Sequence, residues 1–292
     1  PSLGYPNVPT NFGKIRNYGL EIEVNYRPIE TRDFTWDIHA NATFINNKVI
    51  ELPSIYKEDG YKAGRVVYRE GESLYQWYLV KYAGVDKATG KALYWAWKND
   101  ENGKRIPGSD YVTDQYSTDW RQPTGDLLPT VYGGFGTTLK YKGFDLGLTF
   151  SYQLGGRLYD AGYIGFMGNG YEQNGQNWHK DIMNAWTPEN PNSKIPRLDA
   201  DDQFSWAGST ECDFAVTNSN YLALNNITFG YTLPKSLTER LKIDQIRIYG
   251  AADNVALWSA RKGMDPRQSF TQANSSYYSP MRCISGGIKV VF

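Results

Sequence analysis

Residues 17–27 read NYGLEIEVNYR, and residues 33–44 read DFTWDIHANATF. In the first stretch Tyr18, Leu20, Ile22, Val24 and Tyr26 fall on one side, while Asn17, Glu21, Glu23, Asn25 and Arg27 fall on the other. In the second, Phe34, Trp36, Ile38, Ala40, Ala42 and Phe44 alternate with Asp33, Asp37, His39, Asn41 and Thr43. Strict period two is the mark of a strand with one apolar and one polar face. The short stretch between them is of hairpin length.

The same pattern spreads outward from this pair. Phe144, Leu146, Leu148, Phe150 and Tyr152 alternate with Asp145, Gly147, Thr149, Ser151 and Gln153, directly after a strand at 131–141 (VYGGFGTTLKY) and a tight turn at Lys142 and Gly143. Strands at 221–233, 243–254 and 284–292 complete a set of seven. Segments 74–85 and 92–98 carry apolar residues on both sides, so periodicity does not decide whether they are wall strands.

Segments of about 10 to 12 residues exceed the usual globular strand of about 5 to 6 and approach the length that spans a bilayer at a tilt. Short connections at 28–32, 142–143 and 234–242 alternate with long excursions at 50–130, 155–219 and 255–282. Counting back from Phe292 places every short connection on one side. Outer-membrane barrels have this asymmetry, with short periplasmic turns and long external loops. The reading is an all-β fold, part of an antiparallel transmembrane β-barrel; a soluble sandwich is the bland alternative.

Composition agrees. No apolar run reaches transmembrane-helix length, and a mean hydropathy of −0.57 suits a chain in which alternate residues face water. Aromatic residues make up 15% of the chain, with 9 Trp and 23 Tyr, which is much interface-seeking surface. Lys and Arg balance Asp and Glu at 31 each, so no basic excess recruits nucleic acid. The start at Pro1 reads as a piece of something longer.

Set side by side, several stretches resemble the C-terminal barrel portion of the SusC-like TonB-dependent transporters of Bacteroidetes outer membranes. They are NYGLEIEVNYRPI at 17–29 with FTWDIHANATFINNKV after it, EGESLYQWYLVKYAGVDKATGKALYW at 70–95 and TGDLLPTVYGGFGTTLKYKGFDLGLTFSYQLGG at 124–156. AWTPENPNS at 185–193, SNYLALNNITFGYTLPKSL at 219–237, YGAADNVALWS and KGMDP within 249–266, and the terminal ISGGIKVVF follow in order. The resemblance covers nearly the whole chain, residues 1–292. It implies a place in the cell outer membrane, in contact with its lipid, within a 22-stranded, plugged barrel. The plug, the segment that contacts TonB and the remaining barrel strands would lie on polypeptide outside this sequence. It further implies a SusD-like surface lipoprotein as partner and active import of oligosaccharides or, less often, oligopeptides. A soluble all-β glycan-binding module and a passive pore are the rival functions.

No enzyme constellation is present. His39 and His179 form no metal-protease pair, and His39 lies on a polar strand face, where hydrogen bonding is the favoured role. Gly134-Phe135-Gly136 sits within a strand, so these are wall glycines rather than a phosphate loop. No cofactor is expected; Ca²⁺ in an external loop, at Asp100–Gly103 or at Asp199, Asp201 and Asp202, is the lesser reading beside plain solvated turns. Trp95, Trp97, Trp120, Trp178, Trp186 and Trp206 fall in the loops, where indoles stack on sugar rings; each singly is more often packing, and as a group they lean toward carbohydrate.

The faces give further expectations. Phe34, Trp36, Ile38, Phe144, Leu146, Leu148, Ile246, Ile248, Ile288 and Val290 should meet lipid, and Glu21, Glu23, Asp37, His39 and Arg247 the lumen or plug. The terminal strand should pair with the barrel's first strand, with Phe292 needed for insertion as the resemblance implies. A Cys212–Cys283 disulfide is weighed against two free thiols, and the free thiols are favoured.

Overall fold

The computed structural model describes residues 11, 13–168, 177–199, 211–268, 272–273 and 278–292. Seven strands form its largest sheet: β1 (Lys14–Glu30), β2 (Phe34–Glu51), β3 (Val131–Tyr141), β4 (Phe144–Leu154), β5 (Tyr221–Thr232), β6 (Gln245–Ser259) and β7 (Cys283–Val291). Their order in space is their order in sequence, an up-and-down meander. The connections after β1, β3 and β5 are short and leave the same end of the sheet, whereas those after β2, β4 and β6 are the long excursions. The tightest connection is a two-residue turn in which Lys142 (φ 46°) and Gly143 (φ 90°) both take positive φ, the twist that suits a hairpin. β1 and β2 run 17 and 18 residues, longer than the periodic stretches suggest and beyond what a membrane crossing needs.

Register shows why alternation matters. Phe34 pairs with Tyr141, Tyr141 with Phe144, Phe144 with Tyr231, Tyr231 with Ile248, and Ile248 with Ile288. The next row on that face runs Trp36, Leu139, Leu146, Phe229, Gly250 and Gly286, and the third runs Ile38, Thr137, Leu148, Ile227, Ala252 and Ile284. Directly opposed residues share a face, so one apolar surface runs unbroken from β2 to β7. Register shifts at Thr149/Phe150 and Leu224/Asn226 return β5 to phase, so Phe150 and Tyr152 still oppose Leu224 and Leu222.

Aromatic residues gather at both ends of that surface. Near the short turns stand Phe34, Tyr141, Phe144 and Tyr231, with Phe144 and Tyr231 centroids 4.4 Å apart. Toward the other end Phe135 stacks on Phe150 at 4.8 Å, and Tyr152, Leu222 and Trp258 form one row. From Phe144 to Tyr152 is about 27 Å along the strand at about 3.4 Å per residue, comparable, once tilted, with the apolar band between the aromatic girdles of a membrane barrel. Trp36 lies within the band and donates its indole N–H to Thr137 Oγ1 at 2.8 Å, so that face carries no unsatisfied indole there.

Contact clustering divides the chain into two compact units. One gathers the described residues of Pro1–Tyr18, Asn46–Leu127 and Phe166–Phe214, the other those of Gly19–Ile45, Leu128–Gly165 and Ala215–Phe292. The first holds a four-stranded sheet (Tyr61–Ala63, Val66–Tyr68, Gln76–Val80, Arg121–Asp126) and a three-stranded one (Tyr82–Val85, Ala92–Ala96, Tyr111–Thr113). Segments 74–85 and 92–98 are therefore strands, but of these small sheets and not of the seven-stranded wall. Their mixed pattern has a cause: Trp77, Tyr78, Leu79 and Val80 are all buried in succession, as a strand covered on both faces requires. Val80, Ala92, Tyr94 and Cys212 form a core there with Tyr82, Tyr116 and Phe214 around it.

Candidate functional site

Opposite the apolar surface, the second face of the wall collects charge. Arg27 Nε donates to Asp37 Oδ1 at 2.6 Å and Arg27 also pairs with Glu30, while Asn25 donates to Glu23 at 2.9 Å. The Arg27–Asp37 pair puts the polar sides of β1 and β2 on one face, so Glu21, Glu23, Asp37 and His39 share it. Arg247 reaches the same face further along: its guanidinium crosses β5 and grips Asp145 on β4, Nε to Oδ1 at 2.9 Å with a second bond beside it. Such a forked contact fixes orientation as well as charge.

Glycine makes that crossing sterically feasible. A Cβ on Gly230 would stand 2.4 Å from an Arg247 terminal nitrogen, so the guanidinium lies where any other side chain would be. The device recurs. His39 lies over Gly136, 2.5 Å from where its Cβ would stand, and Tyr249 lies over Gly287 at 2.7 Å. Gly136 is one of the wall glycines of the sequence reading, and Gly230 and Gly287 join it, each seating a large neighbour on the polar face.

Hollows open on this unit, a small one of about 270 Å³ beside Asn25, Arg27, Asp37 and His39 and two larger ones. One of about 520 Å³ is lined by Arg32, Asp33, Lys140, Lys142, Asp145 and Arg247 near the short turns. The other, also about 520 Å³, lies at the far end of β6 between Leu257, Trp258, Lys262, Met264 and Asp265. Asp265 is buried and bound by Arg267 through both carboxylate oxygens, at 2.9 and 2.8 Å. Burial alone would push its carboxyl up, but hydrogen bonds from the Arg267 side chain and backbone hold it below the usual carboxylate range. Arg261 likewise pairs with buried Asp160 and stacks over Tyr163 at 3.3 Å, tying the start of one excursion to the start of another.

The loop tryptophans separate by environment. Trp186 is held by its indole N–H on Lys87 O at 3.1 Å and by its ring against Gly90, and Trp97 is buried beneath the Arg105 guanidinium at 4.4 Å. Both are packing residues. Trp120 is half-buried edge-on to Tyr111, while Trp95 and Trp178 are exposed, Trp95 with Lys81 over its ring at 6.0 Å. Trp206 lies outside the described residues, as do Asp201 and Asp202. Asp100 accepts from the backbone N–H of Asn102 and Lys104, and Asp199 is paired with Arg197. Among the described residues no group of three or more His, Cys, Asp or Glu is placed to hold a metal ion. Sequence reasoning missed Asp145, Gly230, Tyr249 and Trp258; only register across three strands reveals the first two as one unit with Arg247.

No family model matches the chain. Its sequence is 28% identical over 91% of its length to the TonB-dependent receptor P3 of Formosa agariphila, covering 26% of that protein. It is 29% identical over 88% of its length to the TonB-dependent receptor SusC of Bacteroides thetaiotaomicron, covering 24% of it. The chain is similar to TonB-dependent receptors, SusC among them. Among solved structures, the RagAB peptide transporter shares the fold, with a TM-score of 0.75 over 96% of this chain, 30% of the other, at 24% identity. The same importer in its closed-closed state gives a TM-score of 0.76. The chain spans about a quarter of the length of the curated SusC-like relatives it matches. Its meander is thus a stretch of outer-membrane β-barrel wall.

Within this SusC-like segment the two cysteines do not form a disulfide. Cys212 is buried in the loop core, where desolvation pushes its thiol well above the ordinary range, and Cys283 is exposed on the polar face, in the row of Asp253.

Proposed function

We propose that this chain supplies seven consecutive wall strands and the external loops of a TonB-energised importer of oligomeric nutrients, working with a SusD-like surface lipoprotein. The carrying observation is the meander itself: an apolar surface continuous from β2 to β7, aromatic rows at both its ends, and every short turn at one end. On this reading Glu21, Glu23, Asp37, His39 and Arg247 face the lumen, where charge is tolerable because it is paired and wet. β1 and β7 each pair on one side only among the described strands, and barrel closure asks for partners on polypeptide outside this sequence, the plug included. The names of the SusC and P3 relatives support dependence on TonB. No cofactor enters the scheme.

Oligosaccharide is the first reading of the cargo, supported by the exposed Trp95 and Trp178 indoles. Oligopeptide is the second, favoured by the RagAB neighbours, which are described as a peptide transporter, and by the structural employment of Trp97 and Trp186. The test is uptake of labelled oligosaccharides and oligopeptides by cells carrying the whole transporter, with and without TonB. Uptake of one class should vanish without TonB and fall several-fold in Trp95→Ala. Uptake indifferent to TonB, or extraction of the protein without detergent, would overturn the assignment.

A further inference from the structure

Three cations converge on one ring in the loop unit. Lys62 Nζ stands 5.6 Å, Arg69 Cζ 6.0 Å and Arg121 Cζ 5.3 Å from the Tyr78 ring centroid. No two of them are then more than about 12 Å apart, close to the screening length of about 8 to 10 Å at ordinary salt. Compensation is incomplete. Arg121 pairs with Glu211 at 2.9 Å, but Lys62 and Arg69 have no ion pair among the described residues. Glu70 is turned to Lys57 and to the Leu52 N–H, and Glu72, one of whose carboxylate oxygens is itself buried without a hydrogen-bond partner, forms no ion pair with Arg69 among the described residues. The Arg69 Nε–H is buried without an acceptor among the described residues, although buried donors nearly always have one. Its stem runs over Gly60, whose missing Cβ would stand 2.8 Å from Arg69 Cγ, so the backbone is shaped to hold the guanidinium in place.

We propose that Lys62, Arg69 and Arg121 around Tyr78 form a carboxylate-binding site that selects acidic oligomers. A carboxylate matches the guanidinium fork of Arg69 and the point charge of exposed Lys62, while Arg121, already held by Glu211, supplies field. The proposal rests on the import reading for the source of the carboxylate, a uronic acid or an acidic peptide residue. Calorimetry on the purified whole transporter with its lipoprotein partner tests it, using oligogalacturonate against its methyl ester and a hexaglutamate peptide against hexaglutamine. One acid should bind at least tenfold more tightly than its neutral counterpart at low salt, and which acid does so identifies the source. Exposed Lys62→Gln, alone and with Arg69→Gln, should bring that ratio within about twofold while leaving binding of the neutral oligomer unchanged. No preference in either pair, or a preference that survives both substitutions, overturns the site. Uptake that persists without TonB would instead overturn the import reading and leave the binding ratio standing.

Discussion

The wall and the loop unit are built from similar residues used in opposite ways. In the loop unit Leu79, Val80, Tyr94, Leu127 and Met167 are fully buried, each large side chain finding its partners within the chain. Along the wall strands, Ile22, Val24, Phe144, Phe229, Ile248 and Ile288 stay exposed, and Ile288 keeps 68% of its surface open. An apolar surface this extensive, ordered by register and unclaimed by any core, is made for a different solvent. The loop unit folds by expelling water; the wall is finished only by lipid.

Substitutions can break that comparison. The largest effect is expected for Tyr94→Ala, which empties a site between the Tyr82 and Tyr116 rings and should cost the loop unit about 3 to 5 kcal/mol. Limited proteolysis should then cut within 52–130 while the heat-modifiable mobility of the barrel is unchanged. If the barrel band is lost with the loops, the two regions are not energetically separate.

Next comes Leu148→Arg on the apolar face, expected to cost about 2 to 4 kcal/mol in lipid, against about 1 kcal/mol or less for Thr149→Arg next to it on the polar face. Denaturant titration of the whole transporter in bilayers measures both. Equal costs would mean that the faces are assigned to no particular solvent.

A smaller effect belongs to Asp265. Its folded carboxyl lies below the unfolded value of about 3.9, so its stabilising contribution is complete above that pH and fades as pH falls through the folded value. Asp265→Ala should cost about 1 to 3 kcal/mol at neutral pH by stranding Arg267, and nothing further on acidification. Trp258, which lines the same hollow, offers the fluorescence readout. An acid transition unchanged by the substitution would remove Asp265 as its origin.

The mildest is Gly230→Ala. The new methyl would displace the flexible end of Arg247 rather than backbone, so the expected cost is about 1 kcal/mol, most of it the Arg247–Asp145 contact, which is partly solvated. A double-mutant cycle with Asp145→Asn should show the two changes to be non-additive.

These contrasts also mark what could be read from sequence. Seven strands and their polar and apolar sides follow from period two, because a wall strand has one lipid-side and one water-side set of residues. The Gln76–Val80 strand escaped such assignment since both its faces are covered. Tryptophan roles were illegible for a different reason: whether an indole is spent on Lys87 O, as in Trp186, or left exposed beneath Lys81, as in Trp95, depends on partners that can lie about a hundred residues away. Arg247 was assigned to the polar face by its parity, but its partner was not, because Asp145 lies two strands away and only Gly230 opens the path.

The glycine seats have a mechanical meaning. Because His39, Arg247 and Tyr249 are recessed over Gly136, Gly230 and Gly287, the polar face is shallow in relief at those three positions. A folded body sliding along such a surface meets little steric ratchet, and friction against this stretch of wall would come from exchanging hydrated charges rather than from forcing side chains past one another.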